Sequence, residues 1–279
     1  VAARLNAPTI SQGPATVIGA GGFVGARLRA RLGAMGGEVF APGREDPGLL
    51  ERDLGVVFYC AGLTADYDRR PFDAVEAHVS LLSRLLQAGR FERLIYLSST
   101  RLYDGLASAR VDEAVTLELN SASARHTYDL SKALGENLTL TRGGGRGAVA
   151  RLSNVYDWEE GAPGFLSAWL IRARIEREIV LDSSPHLRRD YIHLDDVVES
   201  LLALAQGPAP GIVNVASGEL VSNGEIAELM AQAGRRVRFM GDAQTPATHL
   251  ADVSRLRALG VAPRPVKDVV RRYLSGEAA

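Results

Sequence analysis

Short apolar runs alternate along this chain with longer segments whose apolar residues recur every three or four positions. Ala15 to Ile18, Asp53 to Cys60, Arg93 to Leu97 and Ala148 to Leu152 are apolar at mostly consecutive positions, which predicts strands buried on both faces. Gly37 to Ala41, Arg189 to His193, Gly211 to Ala216 and Arg236 to Met240 add shorter strands. Helical spacing predicts helices over 23–35, 72–88, 126–142, 165–177, 194–206, 223–234, 253–259 and 266–275. In the second of these the stripe is Val75, Val79, Leu82, Leu85 and Leu86, and Ser222 is placed to cap the sixth. Residues 1–14 read as an unstructured lead-in, and Leu102 to Arg125 as surface loop. Through residue 152 the order is β-α-β-β-α-β-α-β, whose crossovers demand parallel pairing.

Chemistry enters at the end of the first strand. Thr16-Val-Ile-Gly-Ala-Gly-Gly-Phe-Val-Gly25 places Gly19, Gly22 and Gly25 between that strand and the helix after it. This arrangement binds a dinucleotide pyrophosphate. One glycine permits the turn, one admits the phosphates to the backbone, and one lets helix and strand pack closely. The helix N-terminus adds free N–H groups. The spacing is G-x-x-G-x-x-G, because position 24 is Val24. The tip of the second strand is Gly43-Arg44 rather than an acidic residue. An arginine there suits the extra phosphate of NADP, so NADP is preferred over NAD. Ala61-Gly62 closes the third strand with residues small enough for a ligand to lie against the backbone. A net charge of −1 gives no basic footprint for nucleic acid. The single cysteine, Cys60, provides no disulfide framework, no spacing suits zinc, and no run reaches the length of a membrane span. A cytoplasmic, enzyme-like chain is expected.

Tyr128-Asp-Leu-Ser-Lys132 sets a phenol and an ammonium four residues apart on one helical face. A neighbouring cation lowers a phenol's pKa and fits it for acid–base work. Ser99, at the carboxyl end of a strand, can donate to a substrate oxygen. With these in order after the glycine turn, the chain resembles the extended short-chain dehydrogenase/reductase family of nucleotide-sugar epimerases, dehydratases and reductases. The matching stretches are Gly19 to Gly25, Tyr96 to Tyr103, Tyr128 to Lys132, Arg151 to Tyr156 and Arg189 to Asp196, with a late echo from Ala251 to Gly260. The resemblance implies a Rossmann-type doubly wound parallel sheet over 15–153 plus 188–217, and a smaller substrate lobe over 154–187 plus 218–279. It implies Ser99, Tyr128 and Lys132 as catalytic residues, Tyr128 being the acid/base. Gly19, Gly22, Phe23, Val24, Gly25, Arg44, Ala61, Gly62, Ser98, Tyr128, Lys132 and Val155 would hold the cofactor. Thr64, Ser99, Thr100, Asn154 and Arg189 would hold the substrate, Arg189 at the nucleotide diphosphate.

Departures narrow the chemistry. The aspartate–glutamate pair of the 4,6-dehydratases is absent; Thr100 and Arg101 stand there. His78 replaces a frequent asparagine under the cofactor and reads as a packing or ribose-contact residue. Asp157 replaces the usual glycine after Asn154-Val-Tyr156, and His126 reads as helix surface. The expected activity is reduction of a keto-sugar nucleotide. Epimerisation through a transient ketone uses the same residues, and a non-catalytic dinucleotide sensor is the rival from another class. The expected partner is a nucleotide sugar, with no nucleic acid and no membrane, and the reading leaves room for a homodimer.

Overall fold

The computed structural model describes residues 13–63, 67–243 and 248–276. Most of the expected lead-in and the expected substrate contact Thr64 lie outside them. The apolar runs form a six-stranded, wholly parallel sheet. Its order is Ile212–Val215, Gly147–Leu152, Arg93–Ser99, Val56–Tyr59, Ala15–Ile18, Val39–Phe40. From Ala15–Ile18 the chain first steps to the outer strand Val39–Phe40, then returns to its other side at Val56–Tyr59. The carboxyl ends of Ala15–Ile18 and Val56–Tyr59 therefore bound the crevice where such sheets hold ligands.

Helices cover both faces. Phe23–Ala34 and Leu194–Leu204 pack on one face around Leu28, Leu32, Val197 and Leu201. Leu81–Ala88 and His126–Arg142 cover the other, where Leu82 and Leu85 meet Tyr59 and Tyr96. A separate core, centred on Trp169, Tyr191, Val221, Met230 and Val269, belongs to the later segments.

Four features differ from the sequence-based expectations. The strand Arg188–His193 does not join the six-stranded sheet; it pairs with Asn154–Tyr156 and Leu220–Ser222. Its alternation explains this, because Tyr191 enters the second core while Ile192 enters the first. The helix after it does return to pack on Phe23–Ala34. Residues 102–125 are not simply surface. Leu102, Tyr103 and Val111 are buried, and Arg110–Val111 pairs with Leu250–Ala251. The helix over 72–88 is broken into Pro71–Val75, a π-helical stretch Glu76–Ser80, and Leu81–Ala88. That wider turn moves the buried stripe to Ala74, His78, Leu82 and Leu85 and leaves Val75 exposed. Finally, the helix beginning at Phe165 ends at Ala173, and Glu178–Leu181 forms a strand beside Arg236–Phe239.

Candidate active site

The glycine turn is shaped by contact. Gly19 has φ +81°, and a Cβ on it would stand 2.7 Å from the Ala61 nitrogen, so the first and third strands nearly touch at their carboxyl ends. A Cβ on Gly25 would stand 2.3 Å from the Gly19 carbonyl oxygen, which explains why the helix requires glycine there. Gly22 donates its N–H to the Gly19 oxygen, 3.0 Å, and begins the helix. A Cβ on Gly62 would meet both His78 Nε2 and Lys132 Nζ at 3.3 Å.

From this turn a cleft of about 830 Å³ runs along the carboxyl edge of the sheet. Of the expected cofactor residues, Gly22, Phe23, Val24, Ala61, Gly62, Ser98, Tyr128, Lys132 and Val155 line it. So do Ser99, Thr100, Asn154 and Arg189 from the expected substrate set. Gly19 and Gly25 lie outside the lining and act through the shape of the turn. Arg44 is exposed beyond the second strand and does not line the cleft.

Three side chains meet at the sheet's edge. The Ser99 hydroxyl accepts the Arg101 backbone N–H at 3.1 Å, so its own hydrogen is free to donate to the Tyr128 oxygen. Tyr128 is buried, and burial pushes its phenol up to about 12, against the pull of the Ser99 hydrogen bond and of Arg101. Lys132 donates to the Leu97 carbonyl at 2.8 Å. Burial drives its amine down to about 7, with Glu136 opposing. Glu136 in turn holds Arg151 through two contacts, at 2.9 and 2.6 Å.

His78 braces this group. Its Nε2 accepts the Leu63 N–H at 3.1 Å, so Nδ1 carries the proton and donates to Ser131 Oγ at 2.8 Å; Ser131 then donates to the Tyr128 carbonyl at 2.8 Å. Burial and then Lys132 push the imidazole down to about 2, so it stays neutral. His126 takes the Asn120 N–H at 3.1 Å on the helix exterior.

The far wall comes from the second core's strands. Asn154 Nδ2 donates to the Asp190 carbonyl at 2.9 Å. The Asp190 carboxylate is taken by Ser153, Ser217 and Gly218, and Asp195 meets Arg27 and Arg264. Neither carboxylate is left to pair with Arg189. Its guanidinium lies 5.1 Å over the Phe165 ring, with a buried Nη1 that has no hydrogen-bond partner among the described residues. Ser98 Oγ is likewise buried without a partner. Such donors at a cleft suit a polar ligand. Sequence reasoning missed Arg101, Arg125, Thr248 and His249, which also line the cleft. Arg101 had a local signal, two residues after Ser99; Thr248 and His249 arrive from far along the chain and had none.

No helix among the described residues is long and apolar enough to cross a membrane. The model of the NAD dependent epimerase/dehydratase family matches residues 15–216. The chain is 28% identical over 262 residues to a dTDP-6-deoxy-L-talose 4-dehydrogenase (NAD(P)(+)) of Kitasatospora kifunensis, across 81% of this chain and 80% of that one. It is 24% identical to a dTDP-4-dehydro-6-deoxy-D-allose reductase of Streptomyces bikiniensis, across 90% and 92%. Its fold superposes on a UDP-glucose 4-epimerase of Thermotoga maritima, solved with UDP-glucose, with a TM-score of 0.77 at 18% identity, across 94% and 98%.

Proposed function

The chain belongs to the NAD dependent epimerase/dehydratase family, and we propose that within it this protein is an NAD(P)-dependent reductase of a keto-sugar nucleotide. The observation that carries the reading is the convergence of Ser99, Tyr128 and Lys132 in one cleft with the glycine turn. The cradle fits a dinucleotide: Gly22 opens a helix N-terminus, Gly25 holds that helix against the turn, and Gly62 leaves the space beside Lys132 open. Gly22, Phe23 and Val24 would hold the pyrophosphate, Ala61 and Gly62 would lie along the dinucleotide, and Lys132 would hold the nicotinamide ribose. When bound, the nicotinamide supplies the hydride.

The remaining work falls to the chain's own residues. Ser99 donates to the sugar's carbonyl oxygen and Tyr128 gives that oxygen a proton as it becomes an alcohol. A phenol lifted to about 12 is fully protonated at neutral pH and so ready to act as the acid. Asn154 and Arg189 hold the sugar and the diphosphate, the latter by a guanidinium fork. The two relatives named as a dehydrogenase and a reductase of dTDP-linked deoxy sugars favour reduction and point to a dTDP-linked 6-deoxyhexose as substrate. Arg44 supports NADP over NAD. The cytoplasm is the compartment proposed. A homodimer is also proposed, since Phe72, Val75 and Leu134 are exposed on neighbouring helices, an apolar face of the kind a second copy covers.

The test is turnover of dTDP-4-dehydro-6-deoxy-D-allose with NADPH or NADH, and of dTDP-6-deoxy-L-talose in reverse, by wild type and Tyr128→Phe. Cofactor binding is followed in parallel by thermal shift. We expect net reduction, tighter NADPH than NADH, and a loss of about 10²–10⁴ in rate in Tyr128→Phe with cofactor affinity kept. Near-wild-type turnover by Tyr128→Phe would remove Tyr128 as the acid. Protein that carries NAD and inverts a sugar without net reduction would move the assignment to epimerisation.

A further inference from the structure

Arg101 stands two residues after Ser99 at the edge of the cleft, and its surroundings give it a task. Its Cζ lies 5.2 Å from the centre of the Tyr128 ring and 4.7 Å from that of Tyr67, and its Nη2 donates to the Tyr67 hydroxyl. The two tyrosine rings are themselves 5.2 Å apart, so the guanidinium is in contact range of both faces of one aromatic pair. Its Nε is 3.4 Å from Oδ1 of Asp129, a buried carboxylate on the residue after Tyr128, and Arg125 approaches the other oxygen at 3.8 Å. Backbone fixes it too, because its N–H is bound by Ser99 Oγ.

We propose that Arg101, anchored by Asp129 and Tyr67 against the Tyr128 ring, is a positioning residue that stabilises the Tyr128 phenolate. This deepens the proposed function and rests on Tyr128 being its acid/base. The groups facing Tyr128 are Tyr67 from the preceding loop, His78 from the π-helical stretch, Tyr96 and Ser99 from the strand, Arg101 after it, and Asp129 and Lys132 from its own helix. His78 is neutral, Tyr67 and Tyr96 are phenols, and Asp129 opposes ionisation. Among the described residues the cations in that set are Lys132 and Arg101. Burial lowers the lysine's pKa to about 7, so its charge fades as pH rises toward the range where a phenol ionises. A guanidinium keeps its charge throughout. Of the two, Arg101 is the one set over the Tyr128 ring, its Cζ 5.2 Å from the ring centre.

The direct test is ¹³Cζ-tyrosine NMR of the NADP⁺-loaded protein, with the Tyr128 signal assigned by its loss in Tyr128→Phe. The shift is read at the most alkaline pH at which the fold persists. Arg101→Met should reduce the ionised fraction of Tyr128 about tenfold, equivalent to raising its pKa by about one unit. Arg101→Lys should restore part of it, since charge rather than the fork is required. In parallel, the rising limb of kcat against pH for dTDP-6-deoxy-L-talose oxidation should move to higher pH in Arg101→Met, with KM within about twofold.

An unmoved Tyr128 signal in folded Arg101→Met overturns the proposal. So does a raised KM with the pH profile unchanged, which would make Arg101 a substrate contact. Arg101→Gln serves if the methionine variant is unstable. The proposed function fails separately: if the wild type turns over no dTDP sugar, that reading falls while the NMR result still decides this one.

Discussion

Lys132 carries a cost that depends on pH. Its buried amine falls from its ordinary 10.5 to about 7. Below pH 7 the lysine is protonated in both folded and unfolded chains, and the fold bears the full penalty of a desolvated charge. Between about 7 and 10.5 the folded chain releases that proton while the unfolded chain keeps it, so the penalty shrinks; above that it is gone. Lys132→Met should therefore raise Tm most at pH 6 and scarcely at pH 10, while weakening cofactor binding. Melting curves across that range check it, and a gain independent of pH would mean the amine is not desolvated as described. Sequence spacing made Tyr128, Lys132 and Ser99 legible because each sits in a short local pattern. Spacing did not show what else surrounds them: the lysine also donates to the Leu97 carbonyl, and Arg101 lies against the Tyr128 ring. Which way a side chain points depends on neighbours that spacing alone does not supply.

At the scale of elements, the three glycines are unequal. A methyl group on Gly25 would collide with the Gly19 carbonyl at 2.3 Å, whereas on Gly22 it would meet the same oxygen at a tight but yielding 3.3 Å. Gly25→Ala should cost roughly 1–3 kcal/mol, as overpacking does, and lose cofactor binding as the helix is pushed off the turn. Gly22→Ala should unfold close to wild type. Denaturant midpoints and cofactor titrations of both variants decide this, and equal losses would refute the steric account. The strand–glycine–helix unit and the parallel sheet were readable because long apolar runs and turn glycines are strong local signals. The break in the helix at Glu76–Ser80 was not. A π turn shifts the stripe without changing composition, and only the packed form reveals that His78 faces inward in place of Val75. Asn154–Tyr156 and Leu220–Ser222, three residues each, are too short for any period to register.

Across the whole molecule, Arg27 links the two cores. From the helix after the glycine turn it reaches Asp157 at 2.5 Å, Glu159 at 2.9 Å, and Asp195. Asp157 is buried and also accepts the Trp158 N–H at 2.7 Å. Arg27→Met should destabilise by about 1.5–3 kcal/mol, leaving a buried carboxylate without its cation. Adding Asp157→Gly should recover part of that loss. Unfolding free energies of the two singles and the double give the coupling, and strict additivity would mean the contact carries no stability. Family and fold were written in the ordered motifs, whereas this bridge was not, since its members are more than a hundred residues apart. One pairing of that kind has a further consequence. Leu250–Ala251 pairs with Arg110–Val111, and Asn214 ties Tyr103 to the Asp252 carbonyl at 2.7 and 2.9 Å. The ribosome makes the glycine turn and Tyr128 well before these ties, which take in residues beyond 248. Local sheet–helix units can close while synthesis proceeds, but the segment behind Tyr103 is pinned only when residues beyond 248 emerge. The cleft is a vault whose keystone is laid only after its walls have been made.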